Sequence, residues 1–114
     1  MANLEATPAT SSPNFPAAEL ASILREHLIK VVRARFRRKG LPLPTSDDEV
    51  VVMVVELDSM TVVELLSNLD DLVPFKVTES VVKAGGYDTI SAAVEHVVGR
   101  LAAKWAKHHS GVTV

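Results

Sequence analysis

A chain of 114 residues has room for one domain with a single hydrophobic core. Hydrophobic residues make up 47% of it and charged residues 23%, which excludes a strongly charged chain. Aromatic residues make up only 4%, so the core has to be built mainly from Val, Leu, Ile and Ala. The absence of cysteine excludes disulfides, thiolate zinc sites and a thiol nucleophile, so any thiol chemistry needs a prosthetic group that brings the sulfur.

No apolar run approaches the roughly 20 residues that a membrane helix needs. Residues 1–15 also lack a basic region followed by an apolar stretch, which is the pattern of a secretory signal. We therefore expect a cytoplasmic protein without a membrane span.

The net charge of −2 hides a strong separation of charge along the chain. Residues 25–39 contain seven bases and one acid, whereas residues 40–95 contain eleven acids and two bases. This separation indicates two charged faces with different partners or different orienting roles.

The first predicted element is a helix that follows a polar lead-in. Residues 1–16 are rich in Pro, Ser, Thr and Ala, which is typical of a disordered segment. After Pro16, apolar residues recur at the spacing of one helix face: Leu20, Ile23, Leu24, Leu28, Val31 and Val32. Gly40 and Pro42 end this helix, and the bases in its last turn suit the negative end of the helix dipole.

The connection from Leu41 to Leu57 contains no clear helix or strand. Pro42 and Pro44 keep its start extended, and Thr45 to Asp48 has the composition of a turn or cap. The β-branched run of residues 50–55 matches a strand, but a strand without a partner is unstable. We interpret the run as a buried connecting loop with room for a helical turn.

Helical spacing returns at Asp58 and Ser59, either of which can cap a helix N-terminus. The apolar stripe of this second helix ends before Pro74 and consists of Val62, Leu65, Leu66, Leu69 and Val73. A short helix is predicted after Thr78, with Val81 and Val82 buried and the Gly85–Gly86 pair as its stop.

The last predicted helix has Asp88 as its cap and one apolar face, which consists of Ile90, Val94, Val97, Val98, Leu101 and Trp105. We expect an all-α fold: a small bundle of three main helices plus one short helix, with a long loop between the first and second helices. The folded domain spans residues 17–106, and residues 107–114 form a frayed tail.

The segment Asp58-Ser59-Met60-Thr61-Val62-Val63-Glu64-Leu65-Leu66 resembles the phosphopantetheine attachment motif of acyl carrier proteins. In that family an Asp-Ser-Leu triplet opens the second helix, and the serine hydroxyl accepts the arm from coenzyme A. The resemblance continues through residues 69–72 and 86–90 into the last helix. Three features differ from the family pattern: Glu56 stands where a glycine is usual, Met60 replaces leucine, and the first helix is basic.

The resemblance implies a carrier protein that catalyses nothing itself. It holds an acyl group as a thioester on a 4'-phosphopantetheine arm attached to Ser59, with Asp58 and Met60 beside the attachment point. Glu64, Asp70 and Asp71 form an acidic face that docks partner enzymes. The implied partners are a phosphopantetheinyl transferase and the acyl-loading and acyl-processing enzymes of fatty acid or polyketide biosynthesis, and the carrier itself is expected to be a monomer.

Residue chemistry agrees with this assignment independently of the family. A phosphodiester is an anion, and a helix N-terminus offers unpaired N–H groups and a positive dipole end. A serine at that point is therefore suited to carry a phosphate-linked arm. The four histidines have no spacing to carboxylates that is typical of a metal site, so no metal is predicted.

Two alternatives remain open at the level of sequence. In one, the chain is a helical interaction protein whose basic first helix binds nucleic acid or an anionic surface. In the other, it has the carrier fold but is never modified. We favour the carrier without nucleic-acid binding, because stacking aromatics are scarce and the second helix carries acids. The basic cluster Arg33, Arg35, Arg37, Arg38 and Lys39 then pairs with the acidic loop Asp47, Asp48 and Glu49.

Overall fold

The computed structural model describes residues 15–111, and the side chains of residues 15–108. Within this range, four α-helices and two 3₁₀-helices follow one another without a strand. The α-helices are α1 (Ala17–Arg38), α2 (Asp47–Val52), α3 (Ser59–Val63) and α4 (Ile90–Gly111); the 3₁₀-helices are Leu66–Leu72 and Glu79–Val81. The predicted all-α bundle is confirmed.

The two long helices, α1 and α4, form the main packing contact of the bundle. Each has an apolar stripe at helical spacing, and these stripes face each other. Among the most deeply buried side chains, at 0–1% exposure, are Leu24 and Leu28 of α1 and Val97 and Leu101 of α4. The predicted core faces of both long helices are therefore confirmed.

Helix α1 ends in a Schellman motif, and Gly40, which the sequence predicts as the helix stop, lies at its centre. Gly40 has a φ of 69°, which glycine adopts without strain. Its N–H donates to the Arg37 carbonyl at 3.0 Å, and the Leu41 N–H donates to the Phe36 carbonyl at 2.9 Å. These bonds satisfy carbonyl groups that the helix itself leaves unpaired.

The long first loop folds back onto α1 through arginine contacts. The Arg33 guanidinium donates to Asp47 at 2.7 Å and to the Pro44 carbonyl at 3.0 Å. Arg25 pairs with Asp48 at 2.9 Å. The predicted pairing of the basic helix with the acidic loop is thus confirmed for Arg33. Exposed ion pairs contribute under about 1 kcal/mol, so these contacts orient the loop more than they stabilise the fold.

The valine-rich run of residues 50–55 is only partly buried. Its first half forms the end of α2, so the helical turn allowed by the sequence is present. Val50 and Val55 belong to the core, whereas Val52 and Val54 are 66% and 65% exposed. The interpretation as a buried loop is therefore wrong for these two side chains.

The predicted second helix is not continuous. After the five residues of α3 the chain tightens into the 3₁₀-helix Leu66–Leu72, in which the Asn68 N–H donates to the Leu65 carbonyl at 3.1 Å. The Asn68 side chain donates to the same carbonyl at 3.2 Å. Side chains such as Asn68 compete with the backbone for hydrogen bonds, and this competition weakens a regular α-helix.

Two further boundaries differ from the prediction. Helix α4 is capped by Thr89 rather than Asp88, because the Thr89 hydroxyl accepts the Ala92 N–H at 3.0 Å. The helix continues to Gly111, so the predicted frayed tail starts too early.

The predicted lead-in, except Phe15 and Pro16, and residues 112–114 lie outside the described residues. Across residues 15–111, every helix is too short or too polar to span a bilayer.

Candidate functional site

Ser59 is the first residue of α3, and its side chain is half-buried. Asp58 caps the helix: one carboxylate oxygen accepts the Thr61 N–H at 2.8 Å. This hydrogen bond, with a smaller contribution from the Arg35 charge, lowers the pKa of Asp58 below its ordinary value, so the carboxylate is ionised at neutral pH. Met60 is 62% exposed beside the serine. The three predicted attachment residues thus form one surface-facing helix start.

A backbone clamp holds this helix start against the segment that precedes α4. Leu57 and Tyr87 form an antiparallel bridge in which each N–H donates to the other carbonyl at 2.7 Å. Gly86 packs so closely that an added Cβ would lie 2.0 Å from the Leu57 carbonyl oxygen and 2.8 Å from the Asp58 Cα. Only glycine permits this approach, and the clamp therefore fixes the position of Asp58 and Ser59.

The side chain of Tyr87 anchors the clamp to α4. Its hydroxyl accepts the Lys83 N–H at 2.7 Å and lies 2.7 Å from His96 Nδ1. Tyr87 is 7% exposed, so these polar groups are largely removed from water. The sequence indicated Gly86 as a helix stop and did not point to a role for Tyr87 or His96 near Ser59.

Residues 55–59, which we call the attachment segment after the predicted role of Ser59, are held on their other side by Arg35. The guanidinium donates to the carbonyl groups of Val55 and Glu56. The N–H groups of the same two residues donate to the Asp88 carbonyl at 2.8 and 3.1 Å. Arg35, predicted as part of a basic cluster, is therefore a positioning residue for the chain that leads to Ser59.

Glu56 has a φ of 55°, a left-handed conformation that costs a residue with a Cβ roughly 1–2 kcal/mol. Among the described residues it is the one non-glycine with positive φ. It also occupies the position at which acyl carrier proteins usually have glycine. The departure from the family pattern thus falls where the backbone itself favours glycine.

We expect Glu56→Gly to raise the free energy of unfolding by about 0.5 kcal/mol, because relief of the left-handed strain exceeds the added flexibility of the unfolded chain. Glu64→Gly is the matched control, since Glu64 is exposed and has a φ of −64°. That change is expected to lower stability by about 0.5–1 kcal/mol. Urea denaturation measures both, and an equal loss in the two variants would contradict a strained Glu56.

The three predicted docking acids have different environments. Glu64 and Asp71 are exposed. Asp70 is half-buried, and its carboxylate accepts the Val77 N–H at 2.9 Å. Asp70 therefore connects the 3₁₀-helix to the segment before Thr78, which leaves Glu64 and Asp71 as the exposed acids of this face.

Asp70→Ala is expected to lower the free energy of unfolding by about 1–2 kcal/mol, because the Val77 N–H, next to a buried side chain, loses its acceptor. Asp71→Ala removes an exposed carboxylate and is expected to change stability by less than about 0.5 kcal/mol. Chemical denaturation monitored by circular dichroism compares the two. Equal stabilities would mean that solvent replaces the Asp70 carboxylate.

An open groove of about 520 Å³ lies beside the attachment segment. Residues 56–58 form one wall, and residues 83–88 form the other. Ser59 is next to this groove in sequence but does not line it. In the part of the chain that the structure describes, no three His, Asp or Glu side chains are grouped to hold a metal ion.

Comparisons with protein-family models, with curated proteins and with solved structures find no match to this chain. Three features of this site bear on its function: the capped serine, the clamp that positions the serine, and the exposed acids that follow it.

Proposed function

We propose that this chain is an acyl carrier protein, with a 4'-phosphopantetheine arm attached to the Ser59 hydroxyl. The observation that carries the proposal is the Asp58–Ser59 helix start, in which Asp58 is exposed, Ser59 is half-buried at the surface, and the Leu57–Tyr87 bridge holds both in place. The helical bundle around it has a long connection between α1 and α3, as expected for a carrier protein. The left-handed backbone at Glu56 adds support, because the family usually has glycine there.

In the proposed modification, the Ser59 oxygen bonds to the phosphorus that bears the pantetheine group of coenzyme A. The pyrophosphate P–O bond breaks, adenosine 3',5'-bisphosphate leaves, and the serine proton passes to a base of the transferase. Asp58 itself is a poor base, because the hydrogen bond from the Thr61 N–H lowers the pKa of its carboxyl. Its role in this proposal is to hold the first turn of α3 in the conformation that presents Ser59. The attached arm supplies the thiol that this cysteine-free chain lacks.

The acidic face is the second part of the proposal. Glu64 is the C-cap of α3, five residues after Ser59, and Asp71 lies on the 3₁₀-helix that follows. Both are exposed, so they are available to basic residues of a phosphopantetheinyl transferase or of acyl-loading and acyl-processing enzymes. Asp70 contributes charge but is held by Val77.

The experiment is modification in vitro with coenzyme A and broad-specificity phosphopantetheinyl transferases, followed by intact-mass measurement. The wild-type chain is expected to gain one phosphopantetheine, and Ser59→Ala is expected to gain none. Ser91→Ala is the matched control, because Ser91 is exposed in the first turn of the longer helix α4. This variant is expected to be modified like the wild type.

Folded wild-type protein that stays unmodified with several transferases would contradict the carrier function. In the same assay, Glu64→Lys and Asp71→Lys are expected to slow modification at low salt without unfolding the protein. The effect should shrink as salt is added, because screening acts over about 8 Å at physiological ionic strength. Unchanged rates in both variants would contradict the acidic docking face.

A further inference from the structure

A second surface groove lies at the C-terminal end of α1, on the Arg35 side of the attachment segment. Its volume is about 270 Å³, comparable with one or two large side chains. Phe36, Leu41 and Val54 give it an apolar lining. Leu41 is 49% exposed and Val54 is 65% exposed, so these side chains are open to solvent instead of completing the core. We refer to it as the α1 groove.

The walls of the α1 groove carry positive charge. Arg35 and Lys39 line it, with Glu56 as the single acid. Arg37 and Arg38 belong to the same last turn of α1 and are exposed. Within residues 15–108 the side chains of Arg37, Arg38 and Lys39 make no ion pair, whereas Arg25 and Arg33 are paired with the acidic loop. Lys39, which lines the groove, and its helix neighbours Arg37 and Arg38 are therefore available to a partner, whereas Arg35 is held by the carbonyl groups of Val55 and Glu56.

We propose that the α1 groove docks an acidic segment of a partner protein, with one bulky apolar side chain of that segment inserted between Leu41 and Val54. Charge complementarity identifies the occupant: carboxylates of the segment meet Arg38 and Lys39, and the apolar side chain covers the exposed hydrophobic lining. This interaction does not depend on modification of Ser59. Its polarity is opposite to that of the acidic face, so the two surfaces select different partners.

Nucleic acid fits the same surface less well. A phosphate backbone has no apolar group to place against Leu41 and Val54. Arg33 and Arg35, which would be needed to extend the phosphate-binding surface, are committed to the loop carbonyls and to Asp47. A protein segment with both carboxylates and an apolar anchor matches all of these features.

Fluorescence anisotropy with a labelled synthetic peptide, a tryptophan flanked on both sides by glutamates, tests the proposal on the full-length chain. The peptide is expected to bind saturably at low salt and to bind Ser59→Ala equally well. Arg38→Glu combined with Lys39→Glu is expected to weaken binding by about tenfold or more, and Val54→Asp should also weaken it. Lys104→Glu combined with Lys107→Glu, on α4, is the matched control and should bind like the wild type.

Three peptide results would overturn the proposal: no saturable binding, equal binding by the groove variants and the wild type, or undiminished binding of a peptide with serine in place of tryptophan. Duplex DNA, single-stranded RNA and phosphatidylserine vesicles are measured in parallel at the same salt. Tighter binding of any of these, lost in Arg38→Glu combined with Lys39→Glu, would also overturn it. Circular dichroism of every variant confirms that a loss of binding is not a loss of fold.

Discussion

Gly86→Ala is expected to lower the free energy of unfolding by about 3 kcal/mol or more, whereas Gly85→Ala should lower it by about 1 kcal/mol. Both glycines have positive φ, at 86° and 92°, so both substitutions introduce backbone strain. They differ in what the new methyl group meets. At Gly85 it meets nothing within 4 Å, but at Gly86 it would lie 2.0 Å from the Leu57 carbonyl oxygen.

The methyl group at Gly86 cannot be accommodated by rotating a side chain, because its neighbours are backbone atoms of Leu57 and Asp58. The clamp has to open, and the segment that carries Ser59 moves with it. Urea denaturation measures the two stabilities, and the transferase assay measures the presentation of Ser59. Equal losses in Gly85→Ala and Gly86→Ala would mean that positive φ alone matters and that the close contact does not exist in solution.

Tyr87→Phe is expected to lower the free energy of unfolding by about 2 kcal/mol, because the Lys83 N–H and His96 Nδ1 lose a largely buried partner. The ring remains, so packing against the core is little changed. Ser80→Ala is a control for the removal of a hydroxyl at an exposed site, where the Ser80 hydroxyl forms a hydrogen bond with the Thr78 hydroxyl. That variant should change stability by less than about 0.5 kcal/mol.

A double-mutant cycle separates the two bonds of the Tyr87 hydroxyl. If Tyr87 and His96 act together, the loss in the Tyr87→Phe, His96→Ala double variant is smaller than the sum of the single losses. Thermal and urea unfolding of the four proteins provide the values. A Tyr87→Phe variant as stable as Ser80→Ala would show that water replaces the hydroxyl and that Tyr87 does not anchor the clamp.

Sequence periodicity was sufficient to predict the parts of the fold that depend on one helix at a time. The stripes of α1 and α4 were predicted because apolar residues that recur every three or four positions lie on one face of an α-helix, and a folded protein buries such a face. The stop at Gly40 was predicted for the same local reason, since a Schellman motif needs a residue with positive φ. The helix start at Asp58 and Ser59 was also predicted locally, from a capping pattern.

The rest of the site depends on contacts that join different elements and leave no periodic pattern in the sequence. Leu57 pairs with Tyr87, and the Asp70 carboxylate accepts from Val77; neither contact has a pattern that a single sequence displays. Asp70 therefore looked like a surface acid, and Gly86 looked like a helix stop. The interruption of the second helix was missed because its apolar residues, Val62 to Val73, recur at α-helical spacing, and this spacing carries no sign of the Asn68 hydrogen bonds to the Leu65 carbonyl.

The bridge between Leu57 and Tyr87 has a consequence for the order of events during synthesis. The ribosome has to deliver Tyr87, and then α4 with His96, before the chain around Ser59 can be held in place. A nascent chain that ends before α4 has the serine but not its clamp, and closing such a long-range contact is among the slower steps of folding. The conformation that the clamp gives to Ser59 therefore requires the completed bundle.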